Sequence, residues 1–439
     1  MITPNAPYDV VIFGGGPAGS TAATLLARAG KKVIVLEREE FPRFKIGESL
    51  LPGCMAIFER LGVKEKLDAR FIIKHGAEIA TTCGKFSLKF YFKDGMDVPC
   101  PTSYQVTRAE FDKMLLDHSE ETGAEVRLLT KVTKVDFDGE GATVHIEPTN
   151  AGGSGEATTV RGRYIIDATG RNSLLGSKFG LKQAYSHLQK FAVYAHYEDV
   201  DREAGIDGTL VRVIRGEDRW FWMIPLTPTR MSIGVVVDIA TFKKARKTPE
   251  AFLDEALAEQ PVLLERMTRA RRDGEVHAAG DYSYRNTRLA GERWLLAGDA
   301  AGFIDPVFST GVFMSLLSGE QAAEAILVAL AAPKRGQHRF QAYEKNFHQV
   351  MDLYLKFVTG WYSQEFIEVF VNPERRLKLP QAINSILAGN MTPSWRVRWR
   401  LAVFYVVVRL QQRFTICPRL DLTPGAPQYP FHPAPMPTV

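Results

Sequence analysis

The chain has 439 residues, which is enough for two or three domains and a large buried core. Hydrophobic residues make up 45% and charged residues 24%, as in ordinary globular proteins. The net charge of +5 is small and is not gathered into a basic block, so composition disfavours nucleic-acid binding.

The four cysteines have no CxxC spacing, which predicts reduced thiols in the cytoplasm rather than disulfides or a metal site. The first residues have no signal-peptide pattern, and we expect no transmembrane segment. The nearest candidate for one, residues 401–410, is too short to span a bilayer and is interpreted as a buried helix, with peripheral membrane contact left open.

The first elements in chain order are a strand, a glycine turn, a helix and a second strand, at Tyr8 to Phe13, 14–19, 20–29 and 32–36. Gly14 allows a tight turn, Gly16 lets the backbone approach a pyrophosphate, and Gly19 lets helix and strand pack closely. The helix N-terminus offers free N–H groups to the phosphates. Glu37 follows the second strand, where it can accept hydrogen bonds from a ribose. Ala18 in the turn and Arg38 after Glu37 complete this predicted cofactor site.

Two later segments favour FAD over NAD. Residues 163–171 (RYIIDATGR) and 294–299 (WLLAGD) are each predicted to form a strand followed by a turn that contains aspartate and glycine. Asp299 is placed to bond a ribityl hydroxyl, and the helix after it aims its N-terminus at the flavin ring. The pair resembles the hydroxybenzoate-hydroxylase-like flavoproteins over roughly residues 7–330. Arg108 matches the arginine by which that class contacts its cofactor.

Short alternating segments lie between these motifs and predict an antiparallel sheet that roofs the flavin. They are 86–92, 191–197, 210–214, 220–224 and 231–237, and residues 152–155 suggest a hairpin tip. From about residue 333 helical patterns dominate, and a proline-rich tail follows residue 418. The predicted fold is α/β, with a Rossmann-like FAD-binding domain of the glutathione-reductase-2 type, an antiparallel substrate domain and a helical C-terminal cap. The expected domain ranges are 1–80, 100–175 and 285–332, then 81–99 and 176–284, then 333–439.

A tryptophan motif at residues 220–225 (WFWMIP) narrows the chemistry. Trp220 and Trp222 occupy alternate strand positions, so they face one side and can form a single wall. Together with the FAD fingerprint and with Lys74 in the segment FIIKHG, this motif resembles the flavin-dependent halogenases. The resemblance implies that Trp220, Trp222, Ile224 and Pro225 keep organic substrate away from the flavin.

The same resemblance implies a reaction. FADH2 from a separate flavin reductase reacts with O2 to give a C4a-hydroperoxide, which oxidises chloride or bromide to HOCl or HOBr. That oxidant travels to Lys74, which holds it near the substrate. A lysine in an apolar stretch has a lowered pKa, so Lys74 can bond HOCl or form a chloramine.

Two loops match the family pattern as well. Residues 303–311 (FIDPVFSTG) resemble its loop between flavin and halide, where the backbone amides of Thr310 and Gly311 would hold the halide. The resemblance adds flavin contacts at Pro306, Gly311 and Val312. Residues 47–52 (GESLLP), the strap loop, resemble the segment that lies against the flavin, with contacts at Gly47 and Ser49.

Phe308 stands where tryptophan halogenases have a glutamate. The chain therefore looks more like the branch that halogenates phenols or pyrroles, often as thioesters on an acyl or peptidyl carrier protein. The sequence does not decide between free and carrier-bound substrate, nor does it exclude an aliphatic enol. Oligomeric state stays open too.

Three other interpretations fit part of the sequence. An aromatic hydroxylase or epoxidase explains all but the joint presence of the tryptophan motif and Lys74. A geranylgeranyl-reductase-like enzyme shares the strap loop and the late flavin motifs. A flavin-binding docking partner without catalysis is the third. A halide-dependent product separates halogenase from hydroxylase, and double-bond saturation without O2 would identify the reductase.

Overall fold

The computed structural model describes residues 7–149, 157–280, 283–372, 377–425 and 427–428. The predicted hairpin tip at 152–155 and the end of the proline-rich tail lie outside these ranges. The strands, β1 to β19, are Tyr8–Phe13, Val33–Leu36, Ile72–Lys74, Gly76–Thr81, Ser87–Tyr91, Ser103–Gln105, Glu125–Arg127, Thr130–Phe137, Ala142–Pro148, Thr158–Asp167, Lys182–Ala184, Lys190–Glu198, Val211–Arg215, Arg219–Pro225, Met231–Asp238, Arg271–Gly280, Tyr284–Asn286, Trp294–Leu296 and Gly302–Phe303. The helices, α1 to α13, are Pro17–Arg28, Met55–Leu61, Lys64–Asp68, Arg108–Glu121, Leu174–Lys178, Ile239–Ala245, Pro249–Ala258, Pro261–Leu264, Thr310–Ala331, Pro333–Trp361, Gln364–Val371, Leu379–Leu387 and Trp395–Arg413.

The first sheet has the order β7-β2-β1-β10-β9-β8, with β18 beside β10. Its centre is parallel: Val11 of β1 lies opposite Ile34 of β2 on one side and Ile165 of β10 on the other. Residues 10–13 are fully buried, as is usual for the central strands of a parallel sheet. The predicted Rossmann-like FAD-binding fold is confirmed.

The second sheet has the order β16-β12-β15-β14-β13-β4-β5. All its pairs are antiparallel except β13 with β4, which run parallel. The predicted domain border at residue 80 therefore falls inside this sheet, since β4 spans Gly76–Thr81. All six residues of β4 are buried, so the alternation that marks a half-exposed strand is absent there.

The two faces of the second sheet pack against different partners. Trp220, Trp222 and Val213 point into the main core, which also contains the first sheet and the C-terminal helices. Phe221 and Met223 point the other way, into a smaller core shared with α7. The strand period thus places both indoles on the side of the FAD-binding domain.

The long helix α9 packs between α1 and α10. Among the described residues it is the one helix long and apolar enough to cross a bilayer, and 61% of its most apolar window is buried inside the protein. That burial is the pattern of a core helix. The segment that the sequence suggested as nearest to a membrane span lies instead in α13.

Helix α13 is buried on one face only, which corrects the expectation of a buried helix. Trp395 is 66% exposed and Val406 50% exposed, on the side opposite Leu401 and Phe404. Arginine residues lie on both sides of this exposed face. The apolar residues between them therefore did not indicate in the sequence that one face of α13 is exposed to solvent.

The end of α13 is fastened to α11 by a buried carboxylate. Glu368 is fully buried and accepts hydrogen bonds from Gln411 Nε2 at 2.7 Å, Arg419 Nη1 at 3.0 Å and Leu420 N at 3.0 Å. Hydrogen bonds to a charged group are among the stronger ones in proteins. This carboxylate therefore holds α11, the end of α13 and the segment after it together.

We predict that Glu368→Ala lowers the free energy of unfolding by about 3 kcal/mol, because several buried donors lose a charged acceptor. Hydrogen–deuterium exchange should rise at residues 411–420. Glu365→Ala, on the same helix, is the control and should change neither quantity appreciably. Unchanged exchange at 411–420 in Glu368→Ala would contradict the role given to this network.

Candidate active site

The glycine turn between β1 and α1 is built so closely that side chains do not fit at two positions. Gly14 has φ +94°, and a Cβ there would lie 2.4 Å from the Ala168 carbonyl oxygen. A Cβ on Gly19 would lie 2.0 Å from the Gly14 carbonyl oxygen. Both clashes are with backbone, so no rotamer change relieves them. The turn therefore holds the N-terminus of α1 directly against the end of β1.

Glu37 braces this turn from the end of β2. It is buried, and its Oε2 accepts from Gly15 N at 2.7 Å while its Oε1 accepts from Glu39 N at 2.9 Å. Gly16 caps the N-terminus of α1, and the atom nearest to a Cβ there would be Arg43 Nη2, at 3.4 Å. Space for a phosphate is thus bordered by helix N–H groups and a guanidinium.

Arg43 was missed in the sequence because no spacing rule points to it. Its Nη1 lies 3.0 Å from Oδ2 of Asp112, which is fully buried. Arg108 binds the same carboxylate, with Nε 2.8 Å from Oδ1. Arg108 Nη1 also donates to the Ile46 carbonyl oxygen at 2.6 Å, just before the strap loop. Two cations are therefore fixed beside the cofactor turn.

Asp299 lies in the short turn Gly298–Ala300 that follows β18. Burial raises the pKa of its carboxyl to about 6, although the charges of Arg108 and Arg171 oppose the shift. Gly298 before it lies against Ala18: a Cβ on Gly298 would be 3.0 Å from the Ala18 Cβ. An acidic acceptor is thus held next to the first turn of α1.

The strap loop has buried polar atoms without partners. Ser49 Oγ and Glu48 Oε2 are enclosed and have no hydrogen bond within the described chain. The other carboxylate oxygen of Glu48 lies 2.6 Å from His196 Nε2 on β12. Such orphaned atoms are expected where a ligand supplies the missing partners.

These groups fit FAD. The glycine turn, the predicted ribose acceptor Glu37, the cations Arg43 and Arg108, and the predicted hydroxyl acceptor Asp299 suit the charges and hydroxyls of that cofactor. Gly47 lies between Arg108 and Val312: a Cβ there would be 2.8 Å from the Arg108 Nη1 and 3.6 Å from a Val312 methyl. One predicted residue stands apart. Arg38 has a half-exposed side chain that pairs with Glu39.

The two indoles of β14 form a continuous aromatic surface. The ring centroids of Trp220 and Trp222 are 5.8 Å apart, and Tyr194 continues the surface 5.6 Å from Trp222. Trp222 Nε1 donates to Ser232 Oγ at 3.1 Å. Ile224 and Pro225 complete the strand and are buried with them. This wall faces the FAD-binding domain.

Lys74 ends β3 and is only 1% exposed. Its Nζ donates to the Leu50 carbonyl oxygen of the strap loop at 2.8 Å and lies 5.2 Å from the centroid of the Phe92 ring. Burial lowers the pKa of this amine to about 7, despite the opposing influence of nearby Cys54. At neutral pH the amine and the ammonium are therefore both present. The strap loop thus contacts Lys74 at one end and the Arg108 region at the other.

The predicted halide loop leads into α9. Ser309 has φ +58° and is the N-cap, so Thr310 and Gly311 are the first two helical residues. Their N–H groups have no intrahelical acceptor and can bind an anion. Thr310 is buried, and a Cβ on Gly311 would lie 2.9 Å from the Phe303 ring. Pro306 opens the short turn Pro306–Phe308 that precedes them.

A cavity of about 170 Å³ lies between β5 and helices α11 and α12. Asn384 on its wall donates to the carbonyl oxygen of Tyr91, the residue before Phe92. The lining is mainly apolar: Leu88, Phe90, Phe370, Pro380, Ile383 and Leu387. A ring-sized space therefore adjoins the segment whose Phe92 covers Lys74.

The fold and this set of residues define an FAD-dependent oxidoreductase of the hydroxylase-like class. A family model described as FAD binding domain matches residues 7–358. The chain is 31% identical over 402 residues to the 1H-pyrrole-2-carbonyl-(peptidyl-carrier protein) chlorinase of Pseudomonas fluorescens, covering 86% of this chain and 88% of that protein. It is 33% identical over 330 residues to the corresponding brominase of Pseudoalteromonas luteoviolacea, covering 74% and 78%.

A solved structure, that of the myxobacterial chondrochloren halogenase CndH, superposes with a TM-score of 0.77 at 30% identity, covering 92% of this chain and 98% of that one. The chain belongs to the flavin-dependent halogenases. It is an enzyme that uses FAD, and halide and O2 are the family's co-substrates. The predicted family, enzyme class and cofactor are confirmed, whereas the individual site residues stay predictions.

We predict that Gly234→Ala displaces the aromatic wall. A Cβ on Gly234 of β15 would lie 2.3 Å from the Trp222 indole and 2.6 Å from the Tyr194 Cβ. Overpacking of this kind costs about 1–3 kcal/mol. Thermal unfolding should shift downward and the near-UV circular dichroism of the tryptophans should change. Gly139→Ala, where a Cβ meets open space, is the control; equal behaviour of the two variants would refute close packing at Trp222.

Proposed function

We propose that this halogenase converts chloride or bromide to hypohalous acid and delivers it through Lys74 to an electron-rich phenol or pyrrole. FADH2 would come from a separate reductase, and the organic substrate would be a thioester on a carrier protein. Bound reduced FAD supplies, together with O2, the two-electron oxidation of the halide. The observation on which this rests is the complete burial of the Lys74 amine beside the strap loop.

The aromatic wall supports a separation of flavin from organic substrate. Trp220 and Trp222 lie with their indoles on the face of the second sheet that packs toward the FAD-binding domain. Bulky rings there exclude a substrate ring from the flavin side, whereas a halide ion can bind at the N–H groups of Thr310 and Gly311. Oxidation then takes place on the halide rather than on the organic ring.

Lys74 would hold the oxidant once it arrives. With a pKa of about 7, the ammonium can donate a hydrogen bond to HOCl, and the neutral amine can form an N–Cl bond with release of water. When HOCl reacts directly, the halogen passes to a ring carbon and the proton lost from that carbon leaves with the oxygen as water. When the chloramine reacts, water has already been released, and the ring proton returns to the Lys74 nitrogen as the N–Cl bond breaks. The role needs an amine away from bulk water, because water would hydrolyse or dilute the oxidant.

The substrate class is supported by Phe308 and by the relatives. Phe308 is buried and packs edge-on against Phe357 and Trp361, so no carboxylate stabilises a positive ring intermediate at that position. A phenol or pyrrole stabilises that charge itself. The Pseudomonas and Pseudoalteromonas relatives are named for a pyrrole-2-carbonyl group on a peptidyl carrier protein. We propose that the cavity beside α12 admits such a ring.

The test is aerobic turnover with a flavin reductase, NADH, FAD and either NaCl or NaBr. Free and carrier-bound phenols and pyrroles would be examined by mass spectrometry for halogen isotope doublets. Wild-type protein should give a halogenated product, and Lys74→Met should lower its yield about a hundredfold or more while flavin oxidation continues. Lys113→Met, a surface lysine, is the control and should behave as wild type.

Three results would refute the proposal. An oxygen-containing product formed equally without halide would indicate a hydroxylase or epoxidase instead. Full halogenation by Lys74→Met would remove the lysine from the reaction. Loss of FAD binding in Lys74→Met would also contradict the assignment, since a lysine that acts on the oxidant is not needed to hold the cofactor.

A further inference from the structure

A hydrogen-bonded bridge joins the aromatic wall to the halide loop through a tyrosine of the C-terminal region. Trp220 Nε1 donates to Tyr362 Oη at 2.9 Å, and Tyr362 Oη donates to Asp305 Oδ2 at 2.6 Å. Trp220 is 2% exposed and Asp305 is fully buried. The three residues come from the second sheet, the end of α10 and the loop after β19, so one hydroxyl connects three layers.

The other oxygen of the same carboxylate organises the halide loop. Asp305 Oδ1 accepts from Val307 N at 3.0 Å and caps the short turn Pro306–Phe308. That turn leads directly to Ser309, the N-cap of α9, and to Thr310 and Gly311. The position of the Asp305 carboxylate therefore determines where the first N–H groups of α9 point.

The phenolic hydroxyl suits this place because it accepts one hydrogen bond and donates another. An indole N–H only donates and an ionised carboxylate only accepts, so the hydroxyl between them accepts from Trp220 and donates to Asp305. Burial raises the pKa of the Asp305 carboxyl to about 6, while Tyr362, Val307 and Lys190 favour its ionised form. At pH 8 it is ionised and can accept both bonds. Lys190 Nζ also lies 3.7 Å from the centroid of the Tyr362 ring and pairs with Asp238.

We infer that Tyr362 is a positioning residue that fixes the Trp220 indole and the Asp305-anchored halide loop relative to each other. The inference rests on the halide role proposed above for Thr310 and Gly311. Without the hydroxyl, the indole loses its acceptor and the carboxylate loses one of its donors. The loop then holds halide less well, while the glycine turn between β1 and α1 takes no part in these hydrogen bonds.

The first measurement needs no substrate. The chain has six tryptophans, so ¹⁵N-tryptophan-labelled protein gives up to six indole N–H resonances, and Trp220→Phe identifies the one from Trp220. In Tyr362→Phe, hydrogen–deuterium exchange of the Trp220 indole should accelerate about tenfold, as expected for loss of one buried hydrogen bond. Tyr405→Phe is the control, because the hydroxyl of this α13 tyrosine is buried and has no hydrogen-bond partner among the described residues.

The second measurement is steady-state halogenation at pH 8 with varied chloride. Tyr362→Phe should raise the chloride KM about tenfold and change kcat about twofold or less, because positioning affects halide binding more than the chemical step. More reduced flavin should be oxidised per halogenated product. Asp305→Asn should raise the chloride KM as well, since Tyr362 and Val307 donate to different carboxylate oxygens and the amide NH2 replaces one of these acceptors. Tyr405→Phe should match wild type in both constants.

Equal indole exchange in Tyr362→Phe and wild type would overturn the bridge. An unchanged chloride KM in both Tyr362→Phe and Asp305→Asn would overturn its role in halide binding. The exchange measurement tests the hydrogen-bonded bridge without any organic substrate. Failure of the proposed function, in contrast, would appear as halide-independent oxygenation by the wild type.

Discussion

The energetic cost of enclosing an amine at Lys74 is the constraint on which the rest of this site depends. Taking an ammonium out of water strongly disfavours its charged form, and the fold offers a backbone carbonyl at 2.8 Å and an aromatic ring rather than a carboxylate. The pKa consequently falls to about 7. A structural lysine would ordinarily be exposed or paired with an acid, so a buried, unpaired amine indicates a chemical role.

The strap loop connects that amine to the predicted cofactor region. The strap loop runs from the Arg108 contact before residue 47 to the Leu50 carbonyl that accepts from Lys74. The aromatic wall on β14 and the halide loop before α9 are tied together by Tyr362. The proposed mechanism gives halide binding, exclusion of organic substrate and capture of the oxidant to separate groups.

Much of this arrangement could be predicted from local sequence. The glycine turn, Glu37 and the WFWMIP strand are each defined within a few residues, because turn geometry and the two-residue strand period dictate where their side chains point. Because β4 is fully buried, its sequence does not alternate, and its place in the second sheet could not be predicted. Because arginines flank the exposed face of α13, the sequence did not indicate which face is exposed. Long-range partners were also inaccessible: Tyr362 lies 142 residues from Trp220 and 57 from Asp305, and no local pattern relates them. Arg43 was missed for the same reason, since only the fold brings it to Asp112.

The central claim is that Lys74 is an amine titrating near neutrality inside the folded protein. A ¹³C NMR titration of lysine Cε, with the Lys74 signal identified by its loss in Lys74→Met, measures this directly. The account predicts a midpoint near pH 7, well below those of the surface lysines, in protein that remains folded across the range. A midpoint near the ordinary lysine value of about 10.4 would contradict it, because the side chain would then be solvated or ion-paired rather than enclosed.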